Sequence, residues 1–390
     1  MAIPLSYNLR NLMVRRTSTL AASAGIAMVV LVFVLVLALA HGFAWAVQSA
    51  GSPLNAMVLR KGSESELTSA FERDQIASIL VRPEIARSDK DRPLAVAELT
   101  VLAVLPRRSD GAPSQVMLRG TSEDVFQVRP QARIAVGGRM FQPGLPEIIV
   151  GKSISERIRG LRLGETVQIK RRDWKVVGIF ETGGTGFESE IWGDLDVFQA
   201  AFDRMGYYQS ITFRMADPLG IGALKASIDT DPKYQAKVLT EEQYYSDQAG
   251  TLSTFIGVLG TLITIVMSVG AVFGAMNTMY AAVGARAREI ATLRALGFRR
   301  TSILVSFQIE SMILSALGGV LGCLLALPLD GLTTGTINWD TFSELAFAFR
   351  VTPAILAGGF CFALVMGAVG GFLPALRASR QPIVSGLRQA

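Results

Sequence analysis

Four long apolar runs constrain this chain more than any other feature of its sequence. They cover residues 17–59, 248–285, 301–329 and 351–376, and the only Asp, Glu, Lys or Arg inside them is Glu310. A helix needs about 20 largely apolar residues to cross a bilayer, so each run is long enough to span one. Half of the 390 residues are apolar, which agrees with this reading. The sequence predicts a membrane protein with four transmembrane helices.

The basic residues beside these runs predict the orientation, because Lys and Arg near the ends of spans stay on the cytoplasmic side. The basic flanks hold Arg10, Arg15 and Arg16, then Arg286, Arg288, Arg294, Arg299 and Arg300, and finally Arg377, Arg380 and Arg388. Both termini are therefore predicted to be cytoplasmic, in an inner membrane and in contact with its lipids. The formal charge of +6 reflects this topology, and a nucleic-acid partner is not expected.

The spans divide the chain into nine predicted segments. In order they are an interfacial or cytoplasmic helix at 1–16, transmembrane helix 1 at 17–50, an extracytoplasmic domain at 51–246, a long transmembrane helix 2 with a stalk at 247–284, a cytoplasmic loop helix at 285–301, transmembrane helix 3 at 302–329, a short outer loop at 330–351, transmembrane helix 4 at 352–376 and a cytoplasmic tail at 377–390. Ala44-Trp45-Ala46 has the form of a signal-peptide cleavage site, but the first run exceeds the usual 7–15 apolar residues. An uncleaved anchor fits better.

The region between the first two spans alternates between strand and helix patterns. Strands are predicted at 55–60, 95–104, 115–119, 147–150, 166–170, 174–180, 210–215 and 237–239, and helices at 64–80, 195–202 and 219–228. The order predicts an α+β domain, with two flanking βαβ pieces and an inserted β-rich lobe.

Nothing in the sequence indicates catalysis or a bound cofactor. Both cysteines, Cys323 and Cys361, lie in apolar runs, and no Cys or His cluster has metal-ligand spacing. Gly151-Lys152-Ser153 resembles the end of a phosphate-binding loop, but Pro146 stands where the first glycine of that motif belongs. The chain is predicted not to be an enzyme.

The loop between spans two and three carries the sharpest pattern. Ile290, Leu293 and Leu296 recur at about one helical turn, Arg286 and Glu289 are spaced to pair, and Gly297 stands where a left-handed cap would end a helix. A short surface helix is predicted, since a loop that only carried positive charge would need neither an apolar stripe nor a glycine stop.

Polar and small residues inside the spans add two further candidates. Glu310 lies within span three, where an ionisable group is a functional candidate, but pairing with a loop arginine or a neighbouring helix is the favoured role. Three glycine pairs have the spacing that permits close helix contact, within one chain or between two: Gly270 with Gly274, Gly318 with Gly322, and Gly367 with Gly371.

At these residues the chain resembles the four-span permease subunits of the MacB and FtsX type, which belong to ATP-binding-cassette (ABC) systems. The matching motifs are Arg288-Glu289-Ile290, Arg294-Ala295-Leu296-Gly297, Glu310, Gly318-Gly319-Val320-Leu321-Gly322, Pro374-Ala375, Pro382, Leu387-Arg388 and the stretch from Asn8-Leu9 to Gly25-Ile26. The resemblance covers nearly the whole chain, because the family also places a large extracytoplasmic domain between the first two spans.

The resemblance implies a non-catalytic subunit that couples ATP hydrolysis on a cytoplasmic ATPase to motion of its outer domain, termed mechanotransmission. It assigns the docking role to Arg286, Arg288, Glu289, Ile290, Leu293, Arg294, Leu296 and Gly297. Because the sequence contains no Walker motif, the ATPase is expected on a partner chain, as a dimer that binds the ATP. A second permease chain, identical or related, is also implied, with a periplasmic adaptor and an outer-membrane duct as further possibilities.

Several functional readings stay open at this stage. The cargo could be an exported small molecule or peptide, or a lipoprotein released from the membrane. An FtsX-like scaffold that controls a cell-wall hydrolase is the main alternative, although such chains usually have smaller outer domains. An anchored receptor or enzyme is the third, and the loop motif with its glycine stop argues against it.

Overall fold

A computed structural model describes residues 16–231, 233–337 and 343–383. The helix predicted at 1–16 lies almost entirely outside the described residues, as does the end of the tail predicted at 377–390. The chain divides into two compact units. The membrane unit contains the residues up to His41, Thr254–Leu332 and those from Phe349 onward, and the large domain contains Gly42–Ser253 and Thr333–Ala348.

The helices and strands follow one another in the order α1 (Arg16–Gln48), β1 (Asn55–Arg60), β2 (Phe71–Glu72), α2 (Arg73–Leu80), β3 (Ala95–Pro106), β4 (Pro113–Thr121), α3 (Val125–Val128), β5 (Arg133–Ile134), β6 (Glu147–Gly151), α4 (Lys152–Arg157), β7 (Thr166–Ile169), β8 (Arg172–Glu181), β9 (Glu190–Asp194), α5 (Leu195–Ala201), β10 (Tyr207–Tyr208), β11 (Ser210–Arg214), α6 (Ile221–Asp229), β12 (Ala236–Thr240), α7 (Glu241–Ala285), α8 (Ala287–Ala295), α9 (Arg300–Ala326), β13 (Thr333–Ile337), β14 (Glu344–Ala348) and α10 (Pro353–Arg380).

Four helices of the described chain are long and apolar enough to cross a membrane, which confirms the predicted number of spans. They are α1, α7, α9 with the short turn after it, and α10. Helix α7 has 45 residues, or about 68 Å at about 1.5 Å per residue, more than twice the thickness of a hydrocarbon core of about 30 Å. It begins at Glu241, earlier than the sequence pattern predicts, because the polar residues that lead into the apolar run are also helical.

Glycines bring these four helices close together in the membrane unit. A Cβ atom at Gly318 would lie 2.8 Å from the carbonyl oxygen of Ser23, and one at Gly322 would lie 2.6 Å from that of Ala27, so α9 packs directly on α1. On α10, Gly367 and Gly371 face serine side chains of α9 in the same way. Helix α7 also approaches α1 at a glycine, since a Cβ atom at Gly260 would clash with Val36, but a Cβ atom at Gly270 or Gly274 would meet no described atom of another helix within 4 Å.

The first part of the large domain is a four-stranded antiparallel sheet in the order β12-β1-β11-β3. The two predicted strand, helix, strand pieces are present, but β11 lies between β1 and β3, and β1 lies between β11 and β12. Each piece is therefore a split βαβ unit with a strand of the other inserted, which is the ferredoxin-like arrangement. The helix predicted at 64–80 begins only at Arg73, where Glu72 and Gln75 form a capping box.

The inserted lobe extends the same sheet through a shared strand. Ala95 to Glu98 of β3 pair with β11, whereas Leu99 to Pro106 pair with β4. The order then continues β4-β9-β6-β8-β5, with β7 on β8, around a separate apolar core that contains Trp174 and Phe198. Strand β9 was not predicted, because its five residues, Glu-Ile-Trp-Gly-Asp, contain a glycine and two acids and show no alternation.

The loop predicted at 330–351 is largely a hairpin. Strands β13 and β14 pair antiparallel from Thr333 opposite Ala348 to Ile337 opposite Glu344, and the described part of this hairpin belongs to the large domain. Pairing between the two segments could not be inferred from the sequence, since neither has a strong strand pattern.

We expect Gly322→Ala to destabilise the membrane unit, because its methyl group would meet the α1 backbone. Overpacking of this kind costs about 1–3 kcal/mol and should lower the melting temperature of the detergent-solubilised protein. Gly274→Ala is the matched control and should leave the melting temperature unchanged, since nothing in the described chain lies near it. Equal effects of the two variants would contradict the packing described for these helices.

Candidate functional site

The loop between α7 and α9 folds as helix α8, which has one buried and one exposed face. Ala287, Ile290 and Ala291 are buried, whereas Arg288, Thr292, Ala295 and Leu296 are exposed. Ile290 packs in an apolar cluster drawn from three membrane helices, consisting of Met279 and Val283 of α7, Ile303, Phe307 and Leu314 of α9, and Ala375 and Ala378 of α10. Displacement of α8 would therefore press on α7, α9 and α10 together.

Gly297 ends this helix as the sequence predicts. Its φ of +93° lies in the left-handed region that favours glycine. The amide of Gly297 donates to the carbonyl of Arg294 at 3.1 Å, and the amide of Phe298 donates to that of Leu293 at 3.1 Å. This pair of bonds is the Schellman motif, and it stops the helix before Arg299, the N-cap position of α9.

A buried ion pair joins the start of α8 to α9. Arg286 donates from Nη1 to Oε2 of Glu310 at 2.9 Å and from Nε to Oε2 of Glu289 at 3.0 Å. The side chains of Arg286 and Glu310 are only 7% and 5% exposed, and the guanidinium also lies over the ring of Phe307, 5.0 Å from its centre. The expected pairing of Glu310 with a loop arginine is thus present.

A second buried ion network crosses the large domain between its two apolar cores. Arg119 of β4 donates to Glu190 at 2.7 Å, to Glu66 at 2.8 Å and to Glu98 of β3 at 3.1 Å. Arg129 follows α3 and donates to Glu98 at 2.7 Å and to Glu241 at 2.7 Å. Arg119, Arg129, Glu98 and Glu241 are at most 1% exposed, so water does not screen these contacts.

Glu241 makes this network part of a membrane helix, because it is the first residue of α7. Its Oε2 also accepts from the side-chain amide of Asn55 at 2.8 Å and from the backbone amide of Ser52 at 3.1 Å. A carboxylate at the first turn of a helix interacts favourably with the helix dipole. The start of α7 is therefore fixed to β1 and to Arg129 by charged hydrogen bonds.

Glu98 is the carboxylate that the two arginines share. Burial alone would raise the pKa of Glu98, but the guanidinium groups of Arg129 and Arg119 outweigh it and lower this pKa to about 2. Glu98 therefore stays ionised in the folded protein at any physiological pH.

Comparison with known proteins identifies the chain. The sequence profile described as the MacB-like periplasmic core domain matches residues 19–231, more than half of the chain, and the one described as the FtsX-like permease C-terminal matches residues 252–383. The chain belongs to the MacB/FtsX-type family of ABC transporter permeases. Membership implies a membrane subunit with a periplasmic-type domain.

Curated relatives of this permease include two exporters and one uncharacterised permease. The macrolide export ATP-binding/permease protein MacB of Brucella abortus (strain 2308) is 29% identical over 57% of this chain and 34% of its own length. The pyoverdine export ATP-binding/permease protein PvdT of Pseudomonas syringae pv. tomato is 29% identical over 61% and 37%. The ABC transporter permease YknZ of Bacillus subtilis is 25% identical over 58% and 57%. The chain thus spans only about a third of the two exporters.

Two solved structures are also similar to this permease. The extracellular domain of the YknZ transporter from Gram-positive bacteria covers 48% of this chain at 16% identity, with a TM-score of 0.36. The periplasmic region of MacB from Actinobacillus actinomycetemcomitans covers 54% at 13% identity, with a TM-score of 0.38. The similarity covers all of the first structure and 95% of the second.

The structure sorts the predicted loop residues of this permease into three groups by burial. Arg286 and Ile290 are buried against the chain's own helices, so they position α8 and do not offer a surface to another protein. Leu293 and Arg294 are partly buried. Arg288, Glu289, Leu296 and Gly297 are exposed, and Leu296 exposes 67% of its surface.

The ion network of the large domain was missed by sequence reasoning, although the sequence contains a signal for it. Glu98 interrupts the apolar run of β3, and Arg119 ends the apolar run of β4. An acid in one buried strand and a base in the next indicate an internal pair, because an isolated buried charge is too costly. Glu66, Glu190 and Glu241 come from distant segments and could not be assigned to the network from the sequence.

We expect Glu98→Gln to destabilise the permease by about 3 kcal/mol or more at pH 7, because it leaves two buried guanidinium groups short of a carboxylate. The measurement is unfolding of the large domain followed by tryptophan fluorescence in detergent. Because the pKa of Glu98 is lowered in the folded protein, the stabilisation that this carboxylate provides is present above its ordinary pKa near 4.5 and is lost as the pH falls toward 2. The difference between wild type and variant should therefore shrink between pH 4.5 and pH 2, and a constant difference would contradict the assigned pKa.

We expect Arg286 and Glu310 to depend on each other in a double-mutant cycle. Glu310→Gln and Arg286→Gln should each lower the melting temperature, because each leaves the other side chain buried and charged. The double variant should lose clearly less stability than the sum of the two. Additive losses would show that the pair does not hold α8 to α9.

Proposed function

We propose that this chain is the permease subunit that converts ATP hydrolysis by a separate cytoplasmic ATPase into motion of its large domain. The observation that carries the proposal is the two-faced helix α8, which combines an exposed surface with a buried side packed on α7, α9 and α10. A partner that moves α8 would move three membrane helices with it. The permease itself would bind no cofactor, and ATP would be bound by the partner.

The charges near the span ends support an inner-membrane orientation with α8 and both termini in the cytoplasm. Between α7 and the start of α9 the sequence has five arginines against the single acid Glu289. At the end of α10, Arg377 lies over the ring of Tyr280, 5.5 Å from its centre, and Arg380 follows one turn later. Basic residues in these positions favour the cytoplasmic side.

Helix α7 is the proposed transmission element. It runs without interruption for 45 residues, so a movement at its loop end is carried along one helix into the large domain. At the other end, Glu241 is bonded to Arg129 and Asn55 inside the ion network. A helix fixed at both ends by buried charges can transmit displacement with little loss to local bending.

Export is the proposed outcome, with lipoprotein release as a second possible use of the same motion. The names of two relatives, which refer to macrolide and pyoverdine export, support export as a class. An FtsX-like regulator of a cell-wall hydrolase is less well supported, because the FtsX-like profile matches only 252–383, whereas 19–231 match the MacB-like core domain.

The proposed assembly contains two ATPase chains and a second permease chain, with a periplasmic adaptor and an outer-membrane duct as possible further partners. At Gly270 and Gly274 of α7 a Cβ atom would meet no described atom of another helix within 4 Å, and the open space beside them, which Ala21 and Gly25 of α1 also line, would admit membrane lipids or a side chain of the second permease.

We expect Leu296→Asp to weaken binding of the ATPase at least about tenfold, because it places a charge in the middle of the proposed docking surface. The experiment is affinity purification of the detergent-solubilised permease from its native host, with quantitation of the ATPase that co-purifies. Leu296 is a sharper target than Leu293 or Arg294, since both of these are partly buried and their replacement also disturbs the loop itself.

Leu219→Asp is the matched control, because Leu219 is 92% exposed in the large domain and undergoes the same chemical change. It should leave ATPase recovery at the wild-type level. Equal recovery with all three proteins would contradict docking through α8. Absence of an ATPase from the wild-type sample would contradict the permease function itself.

A further inference from the structure

A buried carboxylate forms the charged contacts between the hairpin β13–β14 and the rest of the large domain. Glu344, the first residue of β14, accepts from Nη2 of Arg157 at 2.6 Å and from Nε of Arg107 at 3.3 Å, and it also accepts from the hydroxyl of Ser114. The side chain of Glu344 is only 9% exposed. Burial would raise the pKa of Glu344, but Ser114 and Arg157 together lower it, so the carboxylate is charged at neutral pH.

Three further contacts set the position of β14 on the domain. The amide of Ala346 donates to the hydroxyl of Ser189 at 2.9 Å. The ring of Phe347 meets that of Phe43 edge to face, with 5.5 Å between centres. A Cβ atom at Gly186 would lie 3.2 Å from Leu345, so only glycine allows this close approach without adjustment. Ser114, Arg157, Gly186 and Ser189 all belong to the inserted lobe or to the turn that leads into β9.

A small cavity lies beside Glu344 and is lined by residues of the chain segments that lead to the membrane helices. Its volume is about 40 Å³, room for about one water. Its walls include Val47 from the end of α1, Tyr244 and Tyr245 from the first turns of α7, and Leu345 of the hairpin. The buried Tyr245 hydroxyl has no hydrogen-bond partner among the described residues. Close packing is therefore incomplete beside the hairpin, and the charged contacts of Glu344 add to the apolar burial of Leu345, Ala346 and Phe347.

The attachment of the hairpin matters because the chain connects the hairpin directly to α9 and to α10. Helix α9 and the short turn after it end at Leu329, and β13 begins at Thr333; β14 ends at Ala348, and α10 begins at Pro353. The hairpin thus packs as part of the large domain while each of its ends continues within a few residues into a membrane helix.

We propose that Glu344 is a positioning residue that ties the hairpin, and through it α9 and α10, to the inserted lobe, so that all four membrane helices and not only α1 and α7 move the large domain. The proposal rests on the proposed permease function for its role, but the attachment itself can be tested without a partner.

The first test measures the attachment by hydrogen exchange of the full-length protein in detergent. Glu344→Gln should increase exchange over residues 343–348 at least about tenfold, because it removes the charge that Arg107 and Arg157 compensate. Glu147→Gln is the matched control: Glu147 is 11% exposed and pairs with Arg139 at 2.5 Å, but its hydrogen-bond partners lie outside the hairpin. Unchanged exchange over residues 343–348 in Glu344→Gln would overturn the proposal.

The second test measures transmission in the complex with the co-purified ATPase. We expect ATP to change hydrogen exchange over residues 152–158 and 186–189 in wild type and in Glu147→Gln, and Glu344→Gln to lose most of this change while it still binds the ATPase. The rescue variant carries Ser189→Cys and Ala346→Cys in a background where Cys323 and Cys361 are replaced by alanine. A disulfide between the two new cysteines should restore the ATP-dependent change in hydrogen exchange to Glu344→Gln, and reduction of the disulfide should abolish this change again. The 2.9 Å hydrogen bond from the amide of Ala346 to the hydroxyl of Ser189 shows that the two residues are in direct contact, which a disulfide between them requires.

Each outcome of the second test has a separate meaning. If Glu344→Gln keeps the full ATP-dependent change, the hairpin does not transmit motion and the inference is wrong, while the proposed function stands. If the disulfide abolishes the ATP-dependent change in hydrogen exchange in otherwise wild-type protein, the hairpin must detach from the inserted lobe during the ATPase cycle. That result would also overturn the proposal, which requires the hairpin to stay attached. If no ATPase binds the wild-type protein, the proposed function fails, and the transmission role of the hairpin fails with it.

Discussion

An arginine keeps its charge when it is buried, and the large domain buries two of them completely. Arg119 and Arg129 must therefore be surrounded by carboxylates, and those carboxylates come from segments that are far apart in the chain. Glu66, Glu98, Glu190 and Glu241 converge on the two guanidinium groups from a short turn, two strands and a membrane helix. The network fixes these segments relative to one another more firmly than apolar contacts would, because a misplaced charge in a dry site is far more costly than a misplaced methyl group.

The same principle operates on a smaller scale in the membrane unit. Arg286 is held by Glu310, and this pair determines where α8 begins and which of its faces points outward. Residues of the loop that look equivalent in the sequence consequently have different roles. Ile290 and Leu296 are both apolar positions of one helix, yet the first fills a cluster between three membrane helices and the second extends into solvent.

Local patterns in the sequence predicted much of this architecture, because they depend on neighbouring residues. The apolar runs identified the four spans, alternation identified most strands such as β1 and β3, and Gly297 identified the end of α8. Features that depend on distant residues were not predictable. The insertion of β11 between β1 and β3, the pairing of β13 with β14, and the partners of Arg119 all require knowledge of which segments meet. Glu344 shows the difference most clearly: in the sequence it is one of a few acids in a short outer loop, whereas in the structure two arginines clamp it.

Strand β3 belongs to both halves of the large domain, with its first residues in the ferredoxin-like sheet and the remainder in the inserted lobe. The ferredoxin-like sheet is joined through β1 and β12 to the chain segments of α1 and α7, while the inserted lobe receives the hairpin between α9 and α10. If the two pairs of helices shift by different amounts, the mismatch must appear as bending or twisting of β3 near Glu98 and Leu99, where it passes from one partner strand to the other. Strand β3 would then twist in response to any difference between the displacements of the two helix pairs. The buried charges around Glu98 would set the resistance of the strand to this twisting.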